Sequence, residues 1–254
     1  MKRIESILWA ALGGLAVLIV WQAAAAQSAV LPTPWKVVRG FAELARKGVL
    51  VDYTFASLWR VARGYLLAVA LALPAGAALG YYAGARRNMD LLIQILRPIS
   101  PLAWMPMAVV WFGVGDAAPI FLIFLGAFFP ILLWTAEGVR TVPRAFLLAG
   151  RNFCGSHSAV VRRVLIPAAF PKILIGLRAA LGIAWLVVVA AEMIAVNSGL
   201  GYLIIDSRNA GQRYDLVIAG MLLIGAIGLI LDGALQRAEK LKFFAWGFRH
   251  DANV

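Results

Sequence analysis

Residues 173–195 read ILIGLRAALGIAWLVVVAAEMIA, an apolar run broken only by Arg178 and Glu192. As a helix it is about 35 Å long. That is enough to cross a hydrocarbon core of about 30 Å. The whole chain of 254 residues agrees with this stretch: 63% of it is hydrophobic and only 14% charged. Soluble domains sit near 45–50% apolar and about 25% charged. So few charges cannot clothe a soluble enzyme, and so much hydrophobicity excludes intrinsic disorder. The fold class expected is an all-α integral membrane protein.

Five more apolar runs accompany the first, at 7–26, 64–83, 98–115, 117–136 and 216–231. The run at 7–26 follows Lys2 and Arg3 and has the look of a signal peptide, but six spans close the topology, so it is read as a retained span. Ala72, Gly76 and Gly80 recur every fourth residue in the second run. Small residues at that spacing let two helices approach closely. The third run carries Pro98, Pro101 and Pro106 and is expected to be irregular. Its freed backbone groups need partners in protein or water rather than lipid.

Six spans put both termini on one side. The segments on that side hold 15 Lys and Arg, including Arg86, Arg97, Arg140, Arg162 and Arg163, against 8 on the other, including Lys36, Arg60, Arg208 and Arg213. The positive-inside rule then places both termini in the cytoplasm. It also accounts for the net charge of +12 without nucleic acid. The single cysteine, Cys154, and the distant His157 and His250 offer no disulfide framework, metal site or nucleophile–base pair.

Two loops carry more than topology. In the first outer loop, Thr33-Pro34 reads as a helix start and Gly48 as its stop. Trp35, Val38, Phe41 and Ala45 share one face of that helix, which suits either the membrane interface or packing over the bundle. The segment 137–172 is about 35 residues long, basic, and interrupted by Pro143, Pro167 and Pro171. It is too long for an idle connection. A short helix is expected near Ser156 to Val164. A docking element for another protein and a loop that only sets topology are both open readings.

This loop resembles the EAA loop of permease subunits from binding-protein-dependent ABC importers. Aligned on Arg162-Arg163-Val164-Leu165-Ile166-Pro167, the pattern begins at Leu148-Ala149-Gly150, and its glycine falls on Cys154 beside Gly155. Leu148 and Cys154 depart from that pattern. Two further patches are similar to the sulfonate, taurine, nitrate and bicarbonate branch. One is Arg97-Pro98-Ile99-Ser100-Pro101-Leu102-Ala103-Trp104-Met105-Pro106 with Trp111-Phe112-Gly113-Val114-Gly115-Asp116. The other is Ala191-Glu192-Met193-Ile194 with Asn197-Ser198-Gly199-Leu200-Gly201-Tyr202, and Leu31-Pro32-Thr33-Pro34 fits the start of the branch's outer loop.

The resemblance implies a type I importer permease of the inner membrane, working as a homodimer. Two cytoplasmic ATPase subunits would use the ATP, and a periplasmic or lipid-anchored binding protein would deliver a small solute. The docking residues implied are Ala149, Gly150, Cys154, Gly155, Ser156, His157, Arg162, Arg163 and Pro167. The chain has no Gly-x-x-x-x-Gly-Lys-Ser/Thr phosphate loop, so it is expected to be neither an ATPase nor a carrier of its own cofactor.

Arg178, Trp185 and Glu192 are spaced by seven and share a helix face to within about 20° per step. Ionisable groups at membrane depth usually face a bundle interior or a watery path. This stripe, with Met193, is therefore a candidate lining of the pathway. The plainer alternative is that Arg178 snorkels and Glu192 rests at the interface, partnered by Arg208 or Arg213. Trp104, Met105 and Pro106 are further candidates, though such side chains more often pack. The competing function is a stand-alone secondary transporter with Glu192 as its coupling-ion site. Such folds are built from inverted repeats, and no clear repeat is visible.

Overall fold

The computed structural model describes residues 2–28, 30–154 and 156–239. Lys240, Lys242, Arg249, His250 and Gly155 therefore lie outside the described residues. Eleven α-helices follow one another among those described: α1 (Lys2–Gln27), α2 (Pro34–Arg46), α3 (Val49–Tyr81), α4 (Ala83–Leu96), α5 (Met105–Phe112), α6 (Ala117–Arg140), α7 (Arg144–Phe153), α8 (His157–Val160), α9 (Ile166–Ala195), α10 (Leu200–Asn209) and α11 (Tyr214–Glu239). A 3₁₀ turn, Pro101–Trp104, leads into α5, and a π-helical segment, Val161–Leu165, joins α8 to α9.

Four helical stretches are long and apolar enough to cross a membrane: Val49–Tyr81, Ala117–Arg140, His157–Ala195 and Tyr214–Arg237. They contain the runs expected at 117–136, 173–195 and 216–231 and all but the last two residues of that at 64–83, where the chain breaks at Tyr82 before α4. The run at 98–115 is not one helix. Ala83–Leu96 and Pro101–Phe112 form a pair bent by 78°, which is the irregularity its three prolines required. The run at 7–26 lies within α1, whose indole Trp21 Nε1 donates to the Pro32 carbonyl 3.0 Å away.

The segment 137–172 needs the largest correction, because it is mostly helix. Its first residues finish α6, α7 occupies the middle, and from His157 it belongs to one rod ending at Ala195. That rod is about 58 Å long, roughly twice a hydrocarbon core.

The core is α6 held between α3 and α9. Ala68, Ala72, Ala127, Ile131 and Ala180 are fully buried where they meet. The small-residue stripe faces α6 as its spacing predicted. A Cβ on Gly76 would stand 2.6 Å from the Leu132 carbonyl, and one on Gly80 2.5 Å from the Ala136 carbonyl. Backbones this close make many weak contacts that a larger residue would prevent. Pro74, Pro130 and Pro171 lie inside these helices, Pro130 and Pro171 half-buried and Pro74 exposed.

The start of α2 is as its sequence reads. Thr33 Oγ1 accepts from Lys36 N at 3.4 Å, Pro34 takes the first helical position, and Gly48 turns the chain into α3 at φ +74°. The amphipathic helix packs on the bundle by a different face from the one its apolar spacing marked. Val37, Gly40 and Leu44 are buried toward the bundle, while Trp35, Val38, Phe41 and Ala45 face outward.

Candidate functional site

Two chemically different ends flank the core. At one end, Glu192 near the close of α9 is completely buried. Its carboxylate accepts from Arg60 Nη1 at 2.7 Å, Ser57 Oγ at 2.8 Å and Gly201 N at 3.0 Å. Arg60, only 3% exposed, spends its remaining N–H groups on Asp116 and on Ser198. Four guanidinium N–H groups thereby donate hydrogen bonds, and Nη2 also forms an ion pair with Asp116. Ser57 Oγ in turn accepts from Leu200 N at 2.9 Å. A buried charge is tolerated only when paired and hydrogen-bonded, and both conditions are met.

The cluster ties α3, the start of α6, the end of α9 and the start of α10 into one joint. Gly115 N, bonded to the Ala195 carbonyl at 3.0 Å, adds a backbone tie beside it. Gly199 sits at φ +103° with its Cα against the Glu192 carboxyl, so the position favours glycine twice over.

The sequence placed Glu192 in the bundle but not its partner. Arg208 and Arg213 do not hold it; Arg213 instead donates to Asp215 and, 2.8 Å away, to Glu43 of α2. Arg60 escaped because its charge ended the apolar run. Yet Ser57, Arg60, Val61, Gly64 and Ala68 step by threes and fours down one face, continuous with the small-residue stripe. That continuity was the available signal.

Of the other stripe members, Trp185 is buried and donates Nε1 to the Ile224 carbonyl at 3.1 Å, while Arg178 pairs with Asp232 of α11 at 2.7 Å. Met193 is exposed beside Glu192. Met105 is buried in the core, Trp104 packs partly buried against it, and Pro106 is exposed.

The opposite end is open. Helix α7 buries only Gly150, which leans on Val160 and Val164, while Phe146, Leu148 and Phe153 are exposed, Phe153 by 88%. An apolar groove of about 380 Å³ runs between α7 and the rod, lined among others by Ala149, Cys154, Arg163 and Pro167. Arg162 and Arg163 are exposed on the π-helical segment. Such segments are rare and recur at functional sites. Ser156 caps α8 by accepting from Ala159 N, and the His157 ring meets Tyr81 Oη at 3.3 Å. Cys154 takes φ −105°, a conformation open to any residue, so the turn does not need glycine there. Among the described residues no group of His, Cys, Asp and Glu is placed to hold a metal ion.

The chain is thus a multi-pass helical bundle with one end closed by a buried ion-pair cluster and the other left open. Residues 52–241 match the family described as "binding-protein-dependent transport system inner membrane component", and the chain belongs to it. It is similar to a putative ABC transporter permease protein of Methanocaldococcus jannaschii, 46% identical over 211 residues, covering 83% of this chain and 78% of that one. It is also similar to a putative aliphatic sulfonates transport permease protein of Bacillus subtilis, 35% identical over 239 residues, covering 94% and 83%. The fold is like that of a chain in the inward-facing MetNI methionine ABC transporter, with TM-score 0.65 at 19% identity over 75% of this chain and 94% of that one. The protein is thus a type I permease subunit of an ABC importer, as the three sequence patches implied.

Proposed function

We propose that two copies of this chain form the path for a small anion such as a sulfonate, nitrate or bicarbonate, in the inner membrane with both termini cytoplasmic. A binding protein delivers the solute at the Glu192 end. Two ATPase subunits, which alone bind ATP, dock on the α7 end. The observation that carries this reading is the unbroken rod from His157 to Ala195. It has an apolar groove and exposed arginines at one end and a fully paired carboxylate at the other. A push on the groove end is therefore delivered along one helix to the joint made by Arg60 and Glu192. The same joint argues against the secondary transporter, since Arg60 stands where a coupling cation would sit.

Co-purification tests this. The tagged chain in mild detergent should bring down a nucleotide-binding subunit, and Arg162→Glu with Arg163→Glu should lose it. If the chain emerges alone in both cases, the docking reading fails.

A further inference from the structure

Helix α2 is fastened where the bilayer begins. Its Gly40 packs on the first turn of α11, so that a Cβ there would stand 3.0 Å from Leu216 and 3.2 Å from the Asp215 carboxylate. That turn opens a helix long and apolar enough to cross a membrane, and its uncharged stretch, 216–231, starts at this contact. Arg213, donating to Glu43 at 2.8 Å, ties α2 to the same level. Val37 and Leu44 share a buried cluster with Leu203 of α10, the helix whose Gly201 N holds Glu192. Helix α2 therefore sits at the membrane surface on the Glu192 side.

Two adjoining faces of this helix stay uncovered. Trp35, Val38 and Phe41 are large, apolar and exposed. Arg39 and Arg46 follow within about 40° of Trp35 around the helix, at 100° per residue. They flank a groove of about 530 Å³ lined by Arg39, Ala42, Glu43, Arg46 and Lys47. The groove's one carboxylate is already taken, by Arg213 at 2.8 Å and by Lys47 at 2.7 Å. Arg39 rests over the Trp35 ring, 5.2 Å from its centroid. Neither Arg39 nor Arg46 has a carboxylate partner among the described residues. The exposed apolar face calls for hydrocarbon, and the arginines beside it call for anions. A helix with cations on one face and Trp and Phe on the next settles at the boundary of headgroups and acyl chains. A soluble partner would have to bring its apolar contacts to the depth at which α11 enters the bilayer.

We propose that α2 binds an anionic phospholipid from the leaflet on the Glu192 side. Arg39 and Arg46 hold the phosphate and the charged headgroup, for which the planar guanidinium fork is suited. An acyl chain of the same lipid lies along Trp35, Val38 and Phe41. The lipid fastens α2 from outside as Gly40 and Glu43 fasten it to α11 from within.

The test uses the full-length chain in lipid nanodiscs, with Cys154→Ser removing the only native thiol and Val38→Cys carrying a fluorophore. Spin-labelled phosphatidylglycerol and spin-labelled phosphatidylcholine with the same acyl chains are compared as quenchers at equal mole fraction. The anionic lipid should be favoured about fivefold, roughly what one well-placed cation supplies at a membrane surface. Arg39→Gln with Arg46→Gln should abolish the preference. Arg39→Lys with Arg46→Lys should keep most of it, since the charge remains. Arg86→Gln with Arg87→Gln, exposed on α4, should leave it unchanged.

A preference that survives the glutamine pair overturns the proposal. So does a fluorophore that neither lipid quenches, which would mean that a second copy or the acidic face of another protein covers α2. Loss of the preference in glycerol phosphate, but not in sodium chloride of equal ionic strength, would make the groove a site for a soluble phosphate and overturns it as well. Recovery of the ATPase with the unsubstituted chain, scored in parallel, judges the importer reading separately.

Discussion

The Glu192 end and the α7 end are built from the same residue types to opposite purposes. At the first, Arg60 is 3% exposed and its guanidinium makes four hydrogen bonds and ion pairs with Glu192 and Asp116. At the second, Arg162 and Arg163 stand exposed beside an apolar groove, and Phe153 is 88% exposed. A single chain completes the first end and leaves the second unfinished. On the proposed function, the difference separates the end that holds the fold from the end that receives a partner. Substitutions at the first end should unfold the chain; those at the second should spare the fold and cost a partner.

The sharpest way to break this contrast is Arg60→Ala. It strands Glu192 in the interior with its charge uncompensated. Removing one member of a buried pair costs about 3–5 kcal/mol. Thermal unfolding in detergent should show a loss of that order. Arg60→Met with Glu192→Met should cost much less than the sum of the two single changes, because neither charge is then left behind. If the single change were harmless, the joint would not be what holds this end together.

Phe153→Ala is the counterpart at the open end. An exposed aromatic makes few contacts in the isolated chain, so the thermal midpoint should barely move; surface changes usually stay within about 0.5 kcal/mol. Aromatic anchors at an interface cost about 2 kcal/mol or more when truncated. Affinity for the ATPase, measured by titration in detergent, should fall roughly thirtyfold. A fall in stability with unchanged affinity would reverse the assignment of the two ends.

How much of this was legible in the sequence follows from the physics of each signal. The apolar runs located the spans because crossing length and hydropathy are local properties. The prolines at 98, 101 and 106 announced the bend for the same reason, and Thr33-Pro34 with Gly48 announced α2. Arg60 was missed because a charge ends an apolar run when hydropathy alone is read. Its burial depends on Glu192, 132 positions away. The extent of the rod was missed because Pro167 and Pro171 read as breaks in water, whereas here Pro167 occupies the first turn of α9 and Pro171 lies half-buried inside it. At the Cys154 departure the turn runs at negative φ, so the backbone there accommodates a residue other than glycine.

Between the two ends lies one flaw in an otherwise closed core. Thr135 Oγ1, on α6 against Gly76, is buried and has no hydrogen-bond partner among the described residues. An unmet buried hydroxyl costs about 1–3 kcal/mol relative to an apolar group of the same shape. Thr135→Val should therefore raise stability by about 1 kcal/mol, seen as a higher unfolding midpoint. It should leave ATPase recovery unchanged, since the site touches neither end. A destabilised variant would mean that the hydroxyl is satisfied in the membrane-embedded assembly.

The smallest effect tests a surface version of the closed end. Glu43 of α2 accepts from Arg213 at 2.8 Å and from Lys47 at 2.7 Å, and Arg213 also holds Asp215. The Arg213 hydrogen bond, then that of Lys47, lowers the Glu43 carboxyl from its ordinary 4.5 to about 2. Because the folded value is the lower one, the stabilisation is complete above about pH 4.5 and is lost as the pH falls toward 2. Glu43→Gln should therefore lower the unfolding midpoint slightly at pH 7, and the gap from the unsubstituted chain should close on acidification across that window. The pair is partly exposed, so salt should shrink the gap at pH 7 as well. The buried Arg60–Glu192 joint should resist the same salt, because counterions cannot reach it. Equal salt sensitivity at both places would show that burial, the feature setting the two ends apart, is not what protects the joint.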